Sequence, residues 1–222
     1  MRVNYFVFSR NYRELKKLLD SVQSPEKTLD LWNLKNREKL NIVINEVVRL
    51  FHNYLASAKT LVEHTRILIR AWYKEEDFFQ EYEEQIEIRF IKNSLAGFIE
   101  GLRNYSLHYT LPLANAEMKI NFEQGGKNPS LDFTFVLHKR DLLYWSDWPK
   151  KAKPFLDTAE DEISINGIVE EYFLIVKKFH IWLYDRLMQI HSKDLEWLKE
   201  MNKKIIGLLS DEERMDRGLD SE

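Results

Sequence analysis

The chain of 222 residues contains no cysteine. Disulfide bonds and thiolate-bound metal centres are therefore excluded, and a reducing compartment is the expected environment. Glycine and proline are scarce, with 7 and 5 residues, which favours long uninterrupted elements over a β protein with many turns. No apolar run approaches the roughly 18 residues of a membrane helix, and the first residues lack the apolar core of a signal peptide. We expect a cytoplasmic protein with no membrane contact.

The chain also lacks a surplus of basic residues, because its formal net charge is −3. A general nucleic-acid binder usually carries a large positive charge, so any RNA contact is expected to use a local patch and to be salt-sensitive. Hydrophobic residues make up 44% of the chain and aromatic residues 13%. This supply is sufficient for the core of one domain.

Three long helices are predicted from apolar residues that recur every three or four positions. They cover about 37–73, then about 75–112, where Pro112 ends the helix, and about 166–209. A short helix at 12–22 precedes them, and 24–36 is predicted to be a loop. The apolar rows are wide, as is typical of the interior of a helical bundle.

The apolar period changes to two in Met118–Phe122 and Leu131–Phe135, with Gln124–Ser130 as a loose turn between them. This pattern predicts a β-hairpin at about 117–137, followed by a short helix at 141–145 and a loop ending near Phe155. The predicted fold class is all-α: an antiparallel, up-and-down helical bundle with a small inserted β-hairpin. We expect a single domain at 1–209 and a charged flexible tail at 210–222.

Common enzyme signatures are missing, including glycine-rich phosphate loops, the zinc-protease pair of histidines and the serine-hydrolase elbow. His52 and His64 share the first long helix but are twelve residues apart. Two helix residues that share a metal lie three or four positions apart. The glutamate-rich run 75–87 is interpreted as a solvated helix face. No metal and no cofactor is predicted.

One polar segment stands out near the end of the second long helix. Asn104 and His108 lie one turn apart on the same face, and the long Arg103 side chain can reach back toward them. Gly97 and Gly101 continue that face, although each costs about 1 kcal/mol relative to alanine. The glycines remove side chains, so we expect another helix to approach the backbone closely here. The polar trio is then predicted to lie at a tight helix–helix contact.

These residue types suit one kind of chemistry. A histidine can act as general base or acid near neutral pH, and an arginine can stabilise the charge that develops on a phosphate. An asparagine can position either residue or the substrate. The set fits metal-free cleavage of RNA with the 2′-hydroxyl as internal nucleophile.

The segment from Arg103 to His108 resembles the R-N-x-x-x-H form of the Arg-x(4–6)-His motif of HEPN domains, and the resemblance covers about 90–113. These helical domains occur in prokaryotic toxin–antitoxin and phage-defence systems and in some eukaryotic proteins. The resemblance implies a homodimer in which two motifs face each other and form a metal-independent endoribonuclease site. Arg103 and His108 then form the catalytic pair, and Asn104 is the supporting polar residue.

The resemblance also implies a polar or acidic residue on the preceding long helix, for which Glu63, His64 and Arg66 remain alternatives. We expect the homodimer to form through the helix that bears Gly97, Gly101, Asn104 and His108. RNA is the expected substrate, and an antitoxin or defence protein is a further possible partner.

Two other interpretations stay open. The chain contains a second match to the spacing, Arg186 to His191, which lacks the asparagine and the small residues and is interpreted as helix surface. Alternatively, Arg103 and His108 are structural residues that pair with Glu63, Glu100 or backbone groups. The chain is then a catalytically inactive HEPN-like bundle that serves as a protein-interaction module, and an ion pair that locks Arg103 would favour this alternative.

Overall fold

The computed structural model describes residues 2–121 and 130–208. Within these ranges the chain forms nine α-helices and one three-stranded antiparallel sheet. The helices are α1 (Arg2–Ser21), α2 (Pro25–Trp32), α3 (Arg37–Tyr73), α4 (Asp77–Ile86), α5 (Ser94–His108), α6 (Lys139–Leu142), α7 (Lys153–Thr158), α8 (Ile165–Ile190) and α9 (Ser192–Leu208). The predicted fold class, a helical bundle with an inserted β-hairpin, is confirmed.

The longest helix, α3, has the predicted bounds of 37–73. Its apolar face is buried, and α1 packs along it in the opposite direction. Asn4 of α1 is hydrogen-bonded to His64 of α3 at 3.0 Å, and the Phe8 ring lies 5.2 Å from the Tyr54 ring. Tyr54 is fully buried, and its hydroxyl donates to the carbonyl of Val169 at 3.0 Å. The helix is therefore a rigid support at the centre of the core.

The N-terminal region is more helical than predicted. The helix expected at 12–22 begins at Arg2, and the stretch expected to be a loop contains α2 and a 3-10 turn, Leu34–Asn36. Pro25 occupies the first turn of α2, where its missing N–H leaves no hydrogen bond unmade. The prediction of a loop throughout 24–36 is therefore wrong, because Pro25 begins a helix.

The prediction of a second long helix without interruption is wrong. It consists of α4, a π-helical segment Glu87–Ile91 and then α5, which begins after a break. Asn93 caps α5, because its side-chain oxygen accepts a hydrogen bond from the backbone N–H of Ala96 at 3.0 Å. The cap therefore marks the start of a separate helix.

The predicted hairpin is present as β1 (Asn115–Asn121) and β2 (Ser130–His138), which pair antiparallel with Met118 opposite Phe133. Most of its predicted turn lies outside the described residues. A third strand, β3 (Glu162–Ser164), pairs with the end of β2. Three residues are too few to show an alternating pattern, so the sequence analysis did not find it. The short helix after the hairpin, α6, covers Lys139–Leu142 rather than the predicted 141–145. Helix α7 begins at Lys153, inside the loop that was predicted to end near Phe155.

The predicted last helix is interrupted at His191, between α8 and α9. The chain divides into two compact units, Met1–Lys177 and Lys178–Glu222, and the boundary falls inside α8. The charged tail predicted at 210–222 lies outside the described residues. In the portions of the chain that the structure describes, no helix combines the length and apolar character that crossing a membrane requires.

Candidate functional site

The glycine side of α5 is covered by the chain itself. A Cβ atom on Gly97 would lie 2.5 Å from the carbonyl oxygen of Lys151, and one on Gly101 would lie 2.6 Å from the ring of Trp148. The close approach predicted from these glycines therefore exists, but the approaching segment is 148–152 of the same chain. The surface of the two glycines is therefore occupied by the chain itself, and the homodimer predicted through this helix stays a prediction for its other residues.

Aromatic packing holds this covering segment in place. The Trp148 ring stacks on Phe98 and Tyr105, with ring centroids 5.5 and 5.9 Å apart, and its indole N–H donates to the carbonyl of Leu142 at 2.9 Å. Trp148 is 7% exposed. Large aromatic contacts of this kind fix one side of α5, which in turn fixes the direction in which its other side faces.

The other side of α5 faces α3 across a groove of about 290 Å³. Arg103, Ser106 and Leu107 contribute to it from α5, at positions three and four residues apart that share a helix face. The residues contributed by α3 also follow one face, and they are His52, Leu55, Ala56, Lys59, Thr60, Glu63 and His64. The small Ala56 side chain lies between the bulkier members of this row.

Arg103 makes one side-chain hydrogen bond, from Nη1 to Oδ1 of Asn104 at 3.2 Å. Among the described residues, no carboxylate lies within the 4.0 Å ion-pair distance of its guanidinium. Both residues are half-buried. Arg103 is thus a cation held beside an asparagine at a groove, with most of its donors unused.

The two candidate carboxylates for Arg103 are engaged by other cations. Glu63 pairs with Lys59 at 2.8 Å and with Arg66, while Glu100 pairs with Lys151 at 2.5 Å and lies 3.9 Å from Lys59. The arrangement in which Arg103 is locked by Glu63 or Glu100 is therefore not the one that the chain adopts.

Glu63 is nevertheless influenced by Arg103. The hydrogen bond from Lys59 lowers the pKa of Glu63 below its ordinary value, against the opposing effect of desolvation. The positive charges of Lys59, Arg66 and Arg103 lower it further. Glu63 is consequently an ionised carboxylate near neutral pH, and it reduces the positive charge of the groove without forming an ion pair with Arg103.

Of the three alternatives for a supporting residue on α3, Glu63 and His64 line the groove. Arg66 does not line it and binds Glu63 instead. His64 is hydrogen-bonded through Nδ1 to the side chain of Asn4. Of the three alternatives, Glu63 is the one whose charge interacts with that of Arg103.

His108 lies apart from the groove. It is the last residue of α5, it is exposed, and its side chain makes no hydrogen bond or ion pair within the described parts of the chain. Its sequence neighbours include four exposed apolar side chains: Leu107, Tyr109, Leu111 and Leu113. The structure thus brings Arg103 and Asn104 together and leaves His108 at the open end of the same helix.

The second match to the motif has local partners. Arg186 donates to the side-chain oxygen of Gln189 at 3.1 Å, and Nδ1 of His191 lies 3.2 Å from a carboxylate oxygen of Asp194. Each contact spans three residues on a helical surface. This arrangement agrees with the interpretation of Arg186 and His191 as ordinary helix surface.

Several groove residues were not found by the sequence analysis, notably His52, Lys59 and Thr60. With Glu63 they lie on one face of α3, at successive steps of seven, one and three residues, and the wide apolar stripe of this helix concealed that polar row. His52 was considered only as a metal ligand. Across 2–121 and 130–208, no three histidine or acidic side chains are grouped closely enough to hold a metal ion.

Comparison of the chain with protein-family models, with curated proteins and with solved structures finds no match. The resemblance to HEPN domains therefore depends on the residues around Arg103 and His108.

Proposed function

We propose that the chain is a HEPN-like, metal-independent endoribonuclease that acts as a homodimer within a prokaryotic toxin–antitoxin or phage-defence module. The observation that carries the proposal is the state of Arg103, a half-buried cation that lines an open groove beside Asn104 and has no carboxylate partner in the described parts of the chain. A structural arginine in such a place is normally paired. An unpaired one is suited to bind an anion such as a phosphate.

In the proposed reaction, a general base removes the proton of a ribose 2′-hydroxyl, and the oxygen attacks the adjacent phosphorus. The bond between phosphorus and the 5′-oxygen breaks, and a general acid protonates the departing oxygen. The products are a 2′,3′-cyclic phosphate and a 5′-hydroxyl. His108 serves as acid or base, Arg103 stabilises the charge on the phosphate, and Asn104 orients the Arg103 side chain.

The homodimer is proposed to form at the open end of α5. Leu107, Tyr109, Leu111 and Leu113 are between 43% and 69% exposed around His108. Several exposed apolar side chains within one short segment are typical of interaction surfaces. A second copy bound here would bring two His108 side chains toward each other, while the glycine side of each α5 stays covered by its own chain.

The proposal is tested with the purified full chain, an RNA substrate and excess chelator. Wild-type protein should cut the RNA, and His108→Ala should reduce the rate by at least about 100-fold, as expected for loss of a general acid or base. His191→Ala, the matching change in the second motif, should leave the rate unchanged. Unaltered cutting by His108→Ala would show that the assignment is wrong.

A non-catalytic interaction module is the second candidate, and the same exposed apolar residues around His108 favour it. In that case the surface binds a partner protein, such as an antitoxin or a defence effector, and purified chain cuts no RNA. Leu111→Ser and Leu113→Ser should then abolish binding to the partner, because they remove apolar area from the surface.

A further inference from the structure

A second imidazole, that of His52 on α3, lines the same groove as Arg103. Neither the motif nor the mechanism above uses it. Its Nδ1 atom is buried and has no hydrogen-bond partner among the described residues. Its Nε2 atom is not fully buried and makes no hydrogen bond to those residues either. Nε2 is therefore the ring nitrogen that remains accessible.

The buried Nδ1 bears on which nitrogen carries the proton of the neutral ring. A buried N–H without an acceptor is more rarely tolerated in proteins than an acceptor without a donor. The neutral ring thus favours an unprotonated Nδ1 and a proton on Nε2. In this form His52 presents an uncharged N–H donor from its accessible edge.

Several other polar groups of the groove are already hydrogen-bonded or paired, which leaves the groove suited to an anion. The hydroxyls of Thr60 and Ser106 already donate to the helix carbonyls of Ala56 and Leu102, at 3.0 and 2.8 Å. The charge of Glu63 is offset by Lys59 and Arg66. Apart from its one hydrogen bond to Asn104, the guanidinium of Arg103 then has donors without acceptors among the described residues, and so does the accessible N–H of His52.

We propose that the groove between α3 and α5 binds a phosphate group of the RNA backbone within a single protomer. Arg103 supplies the positive charge, and His52 donates a hydrogen bond from Nε2. The RNA as source of the phosphate rests on the proposed function, but the binding site itself depends on the groove residues of one chain. His52 is thereby assigned to substrate binding, and His108 to proton transfer.

Binding is tested on the full chain by nuclear magnetic resonance of its histidine side chains. One titration uses inorganic phosphate, and the other uses a short 2′-O-methyl oligonucleotide that cannot be cleaved through a 2′-hydroxyl. The oligonucleotide should shift the His52 signals in a saturable manner, and those of His191 should not move. The shift should disappear in Arg103→Gln. His52 signals that stay in place in both titrations would overturn the site, and a response to inorganic phosphate alone would overturn RNA as its ligand.

Two substitutions separate hydrogen bonding from packing at this position. His52→Phe fills the space but removes the donor, so it should weaken oligonucleotide binding by about tenfold, the size of one hydrogen bond to a charged group. His52→Gln retains an N–H donor and should recover part of the affinity. Equal affinity of His52→Phe and wild type would contradict the assignment.

The result of the binding test is independent of the result of the cleavage assay. If the oligonucleotide binds at His52 but the chain cuts no RNA, the phosphate site stands and the ribonuclease proposal fails. If the chain cuts RNA while His52→Phe binds and cuts normally, the ribonuclease proposal stands and the His52 site fails.

Discussion

One side of helix α5 is packed tightly against the chain, and the other side faces a groove. On one side Gly97 and Gly101 lie against Lys151 and Trp148, so that no space remains for even one methyl group. On the other side Arg103 faces a groove and has one hydrogen bond, to its neighbour Asn104. The first side is filled by the chain itself, and on the second side most of the N–H donors of Arg103 are unused. The difference indicates that the glycines serve packing, whereas Arg103 is available for a ligand.

Among substitutions on the two sides of α5, Arg103→Gln is expected to have the largest effect, a loss of RNA cleavage. Loss of the guanidinium should lower kcat/KM by about 100-fold or more, the usual result of removing a charge-stabilising donor. The free energy of unfolding should change by less than about 0.5 kcal/mol, because the substitution breaks no ion pair. Cleavage kinetics and urea denaturation on the same preparation measure both quantities.

Arg186→Gln is the matched control for this change, because Arg186 holds the equivalent place in the second motif. It should leave cleavage intact. If Arg103→Gln instead destabilised the fold by several kcal/mol, or if both variants lost activity equally, the open side of α5 would not be the functional side.

On the packed side, Gly101→Ala should destabilise the fold by about 2 kcal/mol, as overpacking of a tight core contact does. The new methyl group would lie 2.6 Å from the Trp148 ring, which cannot move freely because Phe98 and Tyr105 stack on it. Urea denaturation measures the loss. Gly207→Ala is the control, since nothing lies within 4 Å of its added methyl group, and it should not destabilise. Equal stabilities of the two variants would contradict the packing account.

A smaller effect is expected for Glu63→Gln, which removes the negative charge from the groove. The depressed pKa of Glu63 means that its ionised form stabilises the folded state. This stabilisation is present above the ordinary pKa of a glutamate, about 4.5, and is lost as the pH falls through the lower pKa of the folded state. Because Glu63 is partly exposed, the loss at pH 7 should be about 1 kcal/mol or less.

Denaturation from pH 7 down to pH 3 tests this dependence. The difference between wild type and Glu63→Gln should be largest at pH 7 and should shrink as the wild-type carboxylate takes up its proton. A difference that grew toward acid pH would contradict the assigned direction of the pKa shift.

The sequence was most informative where one periodic pattern extends over many turns. The bounds of α3 follow from its apolar row, because a helix of that length buries the same face throughout. The break between α4 and α5 was missed because apolar residues continue across it. The cap at Asn93 that marks it is a single side chain, and asparagine occurs in many other contexts.

The candidate site was only partly predictable for a related reason. Helix geometry predicted that the Arg103 side chain can reach back toward Asn104 and His108; its guanidinium donates to Asn104, and it makes no hydrogen bond to His108. Local spacing could not show that segment 148–152 covers the glycines, since that contact joins residues about fifty positions apart. It also could not show that His52 of α3 shares a groove with Arg103, because the packing of two helices sets that arrangement.

The central claim is that the open side of α5 carries metal-independent chemistry on the ribose 2′-hydroxyl. The most direct measurement compares an RNA oligonucleotide with its all-deoxy counterpart, each incubated with the wild-type chain in excess chelator. The RNA should be cut, leaving a 2′,3′-cyclic phosphate, and the deoxy strand should stay intact. Loss of cutting on chelation, or equal cutting of both strands, would contradict it.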